Sequence, residues 1–270
     1  MGGLVRILEG RFGRLVLSDL APGEACTAPS DPAILMQPGN AELVFLNPGE
    51  SYAPPAATRI LALHAASDWL RASFPAVFGQ GEQAFVQARE PITPRIRRLA
   101  DTLAVEVLND RFLSTERLEF MLQELVLSII DIYLSRQHPA ASWRGSRYED
   151  SRIRRAIGLL RARPTKELNI DDLASQVGLS RSRFYDLFQM CTGFSPRHYL
   201  DMLCVETAIA RLSSTRQKIA EVAAELGFSA QSNFTRFFLN QVGVPPSKYR
   251  RAATDRQADE PQSDPTSRSS

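Results

Sequence analysis

Apolar positions along this chain change their period from one region to the next. Up to Leu63 they come in short runs, Leu4 to Leu8, Arg14 to Leu17, Ile34 to Met36, Leu43 to Leu46 and Arg59 to Leu63. Between them sit Ala21-Pro22-Gly23, Gln37-Pro38-Gly39 and Asn47-Pro48-Gly49. Proline fixes φ and glycine tolerates φ > 0, so each triplet predicts a tight turn between short β-strands. From Pro94 the period becomes helical, with Ile96, Leu99, Leu103 and Val107 spaced by threes and fours behind a proline suited to a first helical turn. A second helix opens at Ser114, has Glu116 in its first turn, and carries Leu118, Leu122, Leu125, Ile129 and Ile132 in a heptad-like stripe. The stripe fits either dimerisation with a second copy of the helix or packing on the chain's own β-region. Met121, Val126, Ile130 and Tyr133 on neighbouring faces predict contacts in both directions, and dimerisation is the preferred reading.

Past residue 150 one helical pattern is written twice. Leu173-Ala174-Ser175-Gln176-Val177-Gly178-Leu179-Ser180 leads into Phe184, Phe188, Gly193, Pro196 and Tyr199. Val222-Ala223-Ala224-Glu225-Leu226-Gly227-Phe228-Ser229 leads into Phe234, Phe238, Gly243, Pro246 and Tyr249. The glycines lie 49 positions apart and the later landmarks 50 apart, which places one extra residue just after Ser229. An apolar helix face, a glycine turn and a serine-opened second helix predict a helix-turn-helix in each copy. Asn169 is read as the cap of the first unit, and Tyr199 to Ser213 as a rigid connecting helix about 22 Å long. With Phe184, Leu187 and Phe188 facing inward, the first recognition helix exposes Arg181, Ser182, Arg183, Tyr185, Asp186 and Gln189. The second exposes Ala230, Gln231, Ser232, Asn233, Thr235 and Arg236. Arginine pairs with guanine, glutamine or asparagine with adenine, and serine or threonine with either edge, so both sets suit major-groove reading.

Charge strengthens that reading. Residues 151–251 hold 16 Lys+Arg against 8 Asp+Glu, net +8, whereas residues 1–150 are net −4 and the tail from 252 is net −2. Positive charge concentrated on the repeat is what phosphate neutralisation requires, and double-stranded DNA is the expected partner. Arg181, Arg183, Arg197 and Arg236 are the expected strongest contacts.

Other classes find little support. Three cysteines without CxxC spacing exclude a zinc ribbon and argue against a disulfide scaffold. Cys191 and Cys204 are expected to be small buried apolar residues. His64 stands alone in the β-region and is expected at the surface or the rim of a barrel, so no imidazole metal site is predicted. Neither a nucleophile motif nor a glycine-rich phosphate loop is found, hence no catalytic residues and no cofactor. The absence of a signal-peptide pattern and of a long apolar run leads to an expected cytoplasmic location without membrane association.

The run Gly-Phe-Ser-Ala-Gln-Ser-Asn-Phe-Thr-Arg-Phe-Phe, followed by Gly243-Val244-Pro245-Pro246-Ser247-Lys248-Tyr249-Arg250, resembles the signature of AraC/XylS-type transcriptional regulators over residues 151–251. Carried over by position, the resemblance assigns base contacts to Ser182, Tyr185 and Asp186 in the first recognition helix. In the second it assigns them to Gln231, Ser232, Asn233 and Arg236. Lys218 stands where the family usually has a serine or threonine cap.

The resemblance implies an α+β chain, with a small cupin-like β sensor domain over 1–90 and a helical dimerisation segment over 91–137; the polar, unpatterned stretch 138–150, where the charge changes sign, reads as a linker. An all-α domain of two helix-turn-helix units follows over 151–251; the polar composition of 252–270, with almost nothing apolar, predicts a disordered tail. It further implies a homodimeric, sequence-specific transcription regulator, an activator in the preferred reading, that contacts RNA polymerase and answers to an unknown small-molecule or protein effector. A helical protein-interaction module, or a repressor without a small-molecule ligand, is the alternative.

Overall fold

The computed structural model describes residues 5–10, 12–37, 40–79, 85–86, 89–108, 114–137 and 143–258. Its first half is built on eight strands: β1 (Val5–Gly10), β2 (Gly13–Leu20), β3 (Cys26–Thr27), β4 (Ala33–Met36), β5 (Glu42–Leu46), β6 (Ser51–Tyr52), β7 (Thr58–Ala65) and β8 (Arg89–Pro91). Six of them form one antiparallel sheet in the order β1-β2-β7-β4-β5-β8, and β3 pairs with β6 as a separate ribbon. The described residues of all five apolar runs fall in this sheet. Each of its two faces has a core of its own. In β4 the alternation is visible residue by residue: Ile34 and Met36 join the large core, while Ala33 and Leu35 join a smaller one with Val44, Leu46, Ile60 and Ala62, against which Cys26 and Tyr52 of the ribbon pack. Double-sided burial is why these strands read as unbroken apolar runs.

Among the described residues this sheet is open, with β1 and β8 at its edges, and not a closed cupin-like barrel. Side chains fill it on both sides. The cavity between the sheet and the helix that follows is about 40 Å³, lined by Leu17, Met36, Arg59, Ile92, Arg97 and Asp101 among others, an order of magnitude below the roughly 300 Å³ at which ligand pockets begin. His64 also departs from expectation. It lies on β7, shielded by β2 and β4 on either side, and is only 5% exposed. Burial lowers its pKa, and Arg14 adds to that effect while Asp31 opposes it.

Two short helices absent from the sequence reading, α1 (Ser67–Ser73) and α2 (Pro75–Phe78), follow β7. They bring an aromatic cluster: Trp69 meets Phe12 at 5.1 Å and Phe74 at 5.8 Å, and Phe74 meets Trp143 at 5.7 Å. Tyr148 stacks on Phe74 and is 5% exposed. The described part of the expected linker is therefore pinned to the N-terminal half, because its two aromatic residues have apolar surface to bury. Residues 138–142 lie outside the described residues.

Next come α3 (Pro94–Leu108) and α4 (Thr115–Gln137). The α4 stripe is where the structure departs most from the dimerisation reading. Leu118, Leu122, Leu125 and Ile129 are at most 3% exposed and Ile132 is partly buried, all within a single chain. A helix that is apolar on every side is an interior helix, and α4 has neighbours on both flanks. Tyr133 packs on Phe45 of the sheet at 5.6 Å, while Phe120 packs on Phe194 and Tyr199 of the C-terminal half at 5.5 and 5.2 Å. Four of the five stripe side chains are thus covered within one chain, and Ile132 is partly so.

The C-terminal half contains α5 (Ser151–Ala162), α6 (Ile170–Gln176), α7 (Arg181–Thr192), α8 (Pro196–Ser214), α9 (Ile219–Glu225), α10 (Gln231–Val242) and α11 (Pro246–Ala258). The last of these continues into the stretch expected to be a tail, since Ala253 packs inward at 7% exposure; residues 259–270 lie outside the described residues. One continuous core runs from the sheet through α3 and α4 into both helix-turn-helix units. Among the described residues no helix is long and apolar enough to cross a membrane, and no group of three His, Cys, Asp or Glu side chains is placed to hold a metal ion.

Candidate nucleic-acid interface

The first unit is α6, a turn and α7. Asn169 caps α6 by accepting from the Asp171 N–H at 2.9 Å, and Ser180 caps α7 by accepting from the Arg183 N–H at 3.4 Å. Gly178 makes the turn at φ +72°, in the left-handed region that favours glycine. Phe184 and Phe188 are fully buried, which fixes the rotation of α7 about its axis. Arg181, Ser182, Arg183, Asp186 and Gln189 are then exposed and Tyr185 half-buried. Arg181 donates to Asp171 at 2.9 Å and lies 5.8 Å over the Tyr185 ring, so its guanidinium is held at the edge of the exposed face.

The second unit, α9, a turn and α10, follows the same plan with different capping. Lys218 has no acceptor to offer its helix; Glu221 instead accepts from the Lys218 backbone N–H at 3.0 Å, the reciprocal half of a capping box. Gly227 turns at φ +74° in a crowded place, where a Cβ would overlap Thr165 Oγ1 and lie 2.9 Å from Glu167 Cγ. The α5–α6 loop is tied to this turn by Lys166 N–H donating to Leu226 O at 2.9 Å. Ser229 does not cap α10. The inserted residue, Ala230, takes the cap position and has no side-chain acceptor. Ser229 instead accepts from Asn233 Nδ2 at 3.2 Å, and Asn233 Oδ1 accepts from Arg236 at 3.1 Å. Three of the polar side chains at this face thus hold one another in place. Gln231, Ser232 and Arg236 are exposed, Asn233 and Thr235 half-buried.

The units are joined by α8, which is longer at each end than the sequence suggested. Its 19 residues correspond to about 28 Å. Ser195 caps it, accepting from the His198 N–H at 3.3 Å, and Pro196 occupies its first turn. Arg197 projects from this turn, exposed and 4.0 Å from Asp201. All eleven residues expected to face DNA are therefore exposed or half-buried, on α7, α10 and the first turn of α8.

Sequence reasoning missed the side of these units that faces away from the exposed sets. Glu124 of α4 is fully buried and paired with arginines from both halves of the chain, at 2.6 Å to Arg95 of α3 and at 2.8 and 3.0 Å to Arg161 of α5. The Tyr199 hydroxyl of α8 donates to the same carboxylate. Arg95 also reaches Glu206 of α8 at 3.2 Å. The signal for this cluster in the sequence was weak: Glu124 stands between Leu122 and Leu125 of the apolar stripe.

Known proteins agree with the reading of the C-terminal half. The family profile described as a helix-turn-helix domain matches residues 173–252. A Streptomyces lividans protein named as an AraC-like transcription regulator is 24% identical over 170 residues, 63% of this chain and 56% of the relative. The lactose operon transcription activator of Staphylococcus xylosus is 26% identical over 98 residues, 36% of this chain and 35% of the relative. A solved transcriptional regulator of Chromobacterium violaceum with an AraC-type DNA-binding domain is 27% identical, with a TM-score of 0.36 over 39% of this chain and 94% of that one. The chain spans about a third of the length of the first curated relatives it matches. Its residues 173–252 form a helix-turn-helix domain of the AraC type.

Proposed function

We propose that this protein is a sequence-specific, double-stranded-DNA-binding transcription regulator whose helices α7 and α10 read two neighbouring major-groove segments. The observation that carries the proposal is the repeated unit, which buries equivalent aromatic residues and exposes two different polar sets within residues 151–251, a segment of net charge +8. In this reading Arg181, Ser182, Arg183, Tyr185, Asp186 and Gln189 face one segment and Gln231, Ser232, Asn233 and Arg236 the other, with Arg197 on phosphate. Asp186 suits a cytosine amino group or the orientation of a neighbouring arginine. Activation is the direction that the name of the Staphylococcus xylosus relative suggests. An effector or partner acting on the N-terminal half reaches the DNA-binding half through α4, which packs against both.

Selection of duplexes from a random pool by the full chain tests the proposal and is expected to yield one motif with two half-sites. Affinity for the selected duplex should fall at least about tenfold from about 50 to about 200 mM salt, because several phosphates release counterions on binding. Arg236→Ala should cost about 1–3 kcal/mol and relax preference at one base position, measured by mobility-shift titration at fixed salt. Unchanged binding by that variant would remove Arg236 from the interface.

A further inference from the structure

The two recognition helices end on the same helix of the N-terminal half. Gln123 of α4, 2% exposed, donates through Nε2 to the carbonyl of Thr192, the last residue of α7, at 3.2 Å. Arg117, one face earlier on α4 and 6% exposed, donates through Nε to the carbonyl of Gln241, in the last turn of α10, at 2.7 Å. Both acceptors belong to the set of C-terminal carbonyls that a helix leaves without internal partners. Beside Arg117, the negative end of the α10 dipole also favours a cation. Gly193 and Gly243 turn the chain away immediately afterwards at φ +83° and +84°, so each recognition helix stops where α4 holds it.

Residues 117 and 123 are about 9 Å apart along the axis of α4. This single rod therefore holds the C-terminal ends of both α7 and α10, in addition to the connection that α8 makes between the units. Their reading ends lie one helix length away, about 18 Å for 12 residues. A small rotation at the held ends becomes a displacement of a base-pair step at the reading ends. The rod itself is fixed: Glu124, next to Gln123, is clamped by Arg95, Arg161 and Tyr199, and Gln123 also donates to the Tyr148 hydroxyl at 3.2 Å.

We propose that Gln123 and Arg117 are positioning residues that fix the relative orientation of α7 and α10, and with it the half-site spacing this chain accepts. The inference rests on the DNA-reading function proposed above and adds to it a part of the chain outside the helix-turn-helix domain. It makes the N-terminal half a determinant of spacing, while the exposed residues of α7 and α10 determine base preference.

The test uses the full chain and a duplex that the wild type selects from a random pool. Three derivatives of the duplex are needed: one with either half-site scrambled, one with the other scrambled, and one with a base pair inserted between them. Gln123→Met and Arg117→Met are expected to bind each single-half duplex as the wild type does, to lose about tenfold on the intact duplex, and to be less sensitive to the insertion, since linked sites gain affinity only where geometry lets both engage. Arg117→Lys, which keeps a cation at the α10 carbonyls, should recover much of the loss. Wild-type affinity and insertion penalty in the Met variants would overturn the proposal, as would an equal loss on single-half and intact duplexes. Failure of the wild type to select any duplex would instead remove the DNA-reading function itself, before any variant is made.

Discussion

Glu124 and Glu206 are two buried carboxyls in one cluster with opposite tendencies. Burial pushes Glu124 upward, but Arg161, Arg95 and the hydrogen bonds from Arg161 and Tyr199 outweigh it, and its pKa ends below the ordinary value. Burial pushes Glu206 upward too, and the pull of Arg95 does not compensate. A carboxyl with a depressed folded-state pKa contributes stability that is present above the unfolded-state value and lost as pH falls through the folded value. A raised one contributes stability that is fully present below the unfolded-state value and lost as pH rises through the folded value. Glu124 therefore supports the fold at neutral pH, and Glu206 weakens it there. Glu206→Gln should accordingly become more favourable relative to wild type as pH rises from about 4 to about 7, because the cost of the buried charge is absent while the carboxyl is protonated. Denaturant midpoints of both proteins at the two pH values decide this, and an equal difference at both would show that Glu206 does not titrate as its burial requires. None of this was legible in the sequence, where Glu124 was one of several polar residues between the apolar positions of α4. By contrast, the exposure of Arg183, Ser182, Gln231 and Arg236 was legible, because Phe184, Phe188, Phe234 and Phe238 set the rotation of each recognition helix at helical spacing.

Gly178 and Gly227 occupy the same place in the two units and have the same backbone conformation, but not the same surroundings. Nothing lies within 4 Å of a Cβ at Gly178, whereas at Gly227 it would overlap Thr165 and crowd Glu167. Alanine at Gly178 should cost about 1–2 kcal/mol, the strain of a left-handed residue. Gly227→Ala should cost more, because Thr165 and the α5–α6 loop must also move. Equal losses in midpoint for the two variants would mean that the loop yields freely. The sequence made these glycines interchangeable, and the fold distinguishes them by docking one loop on one turn. The extra residue after Ser229 has a similar history. Its position was visible from the spacing, but its consequence was not: it removes the serine cap from α10 and turns Ser229 into an acceptor for Asn233. In the N-terminal half, the five main strands were legible from apolar runs and turns, while α1 and α2 were not, because each is too short to show a helical period.

The whole molecule is held together across its middle. The core is continuous from the sheet to both helix-turn-helix units, and α4 is its central rod. Separate domains joined by a loose connector would unfold in separate steps; a shared core should unfold in one. Far-ultraviolet circular dichroism, dominated by the helices, and tryptophan fluorescence, which reports on Trp69 and Trp143 of the aromatic cluster, are expected to give coincident denaturant transitions. An earlier loss of helix signal would show that the C-terminal half melts alone. The same continuity accounts for the burial of the α4 stripe within one chain. A period of three and four reports that a helix face is buried, but not whether the partner is another chain or the rest of this one.

The sequence by itself determined what depends on local spacing: the main strands up to residue 65, helical faces, the caps of α6 and α7, the tandem repeat, and which side chains the recognition helices expose. Each of these follows from periodicity and backbone preferences that act over a few residues. The tertiary structure alone decided what α4 does. Its Tyr133 packs on the sheet and its Phe120 on α8, its buried carboxylate collects arginines 29 and 37 positions away, and its Arg117 and Gln123 meet the ends of α10 and α7. Those partners are distant in sequence, and a buried ion pair or a carbonyl held by a side chain leaves no periodic mark on the chain that forms it.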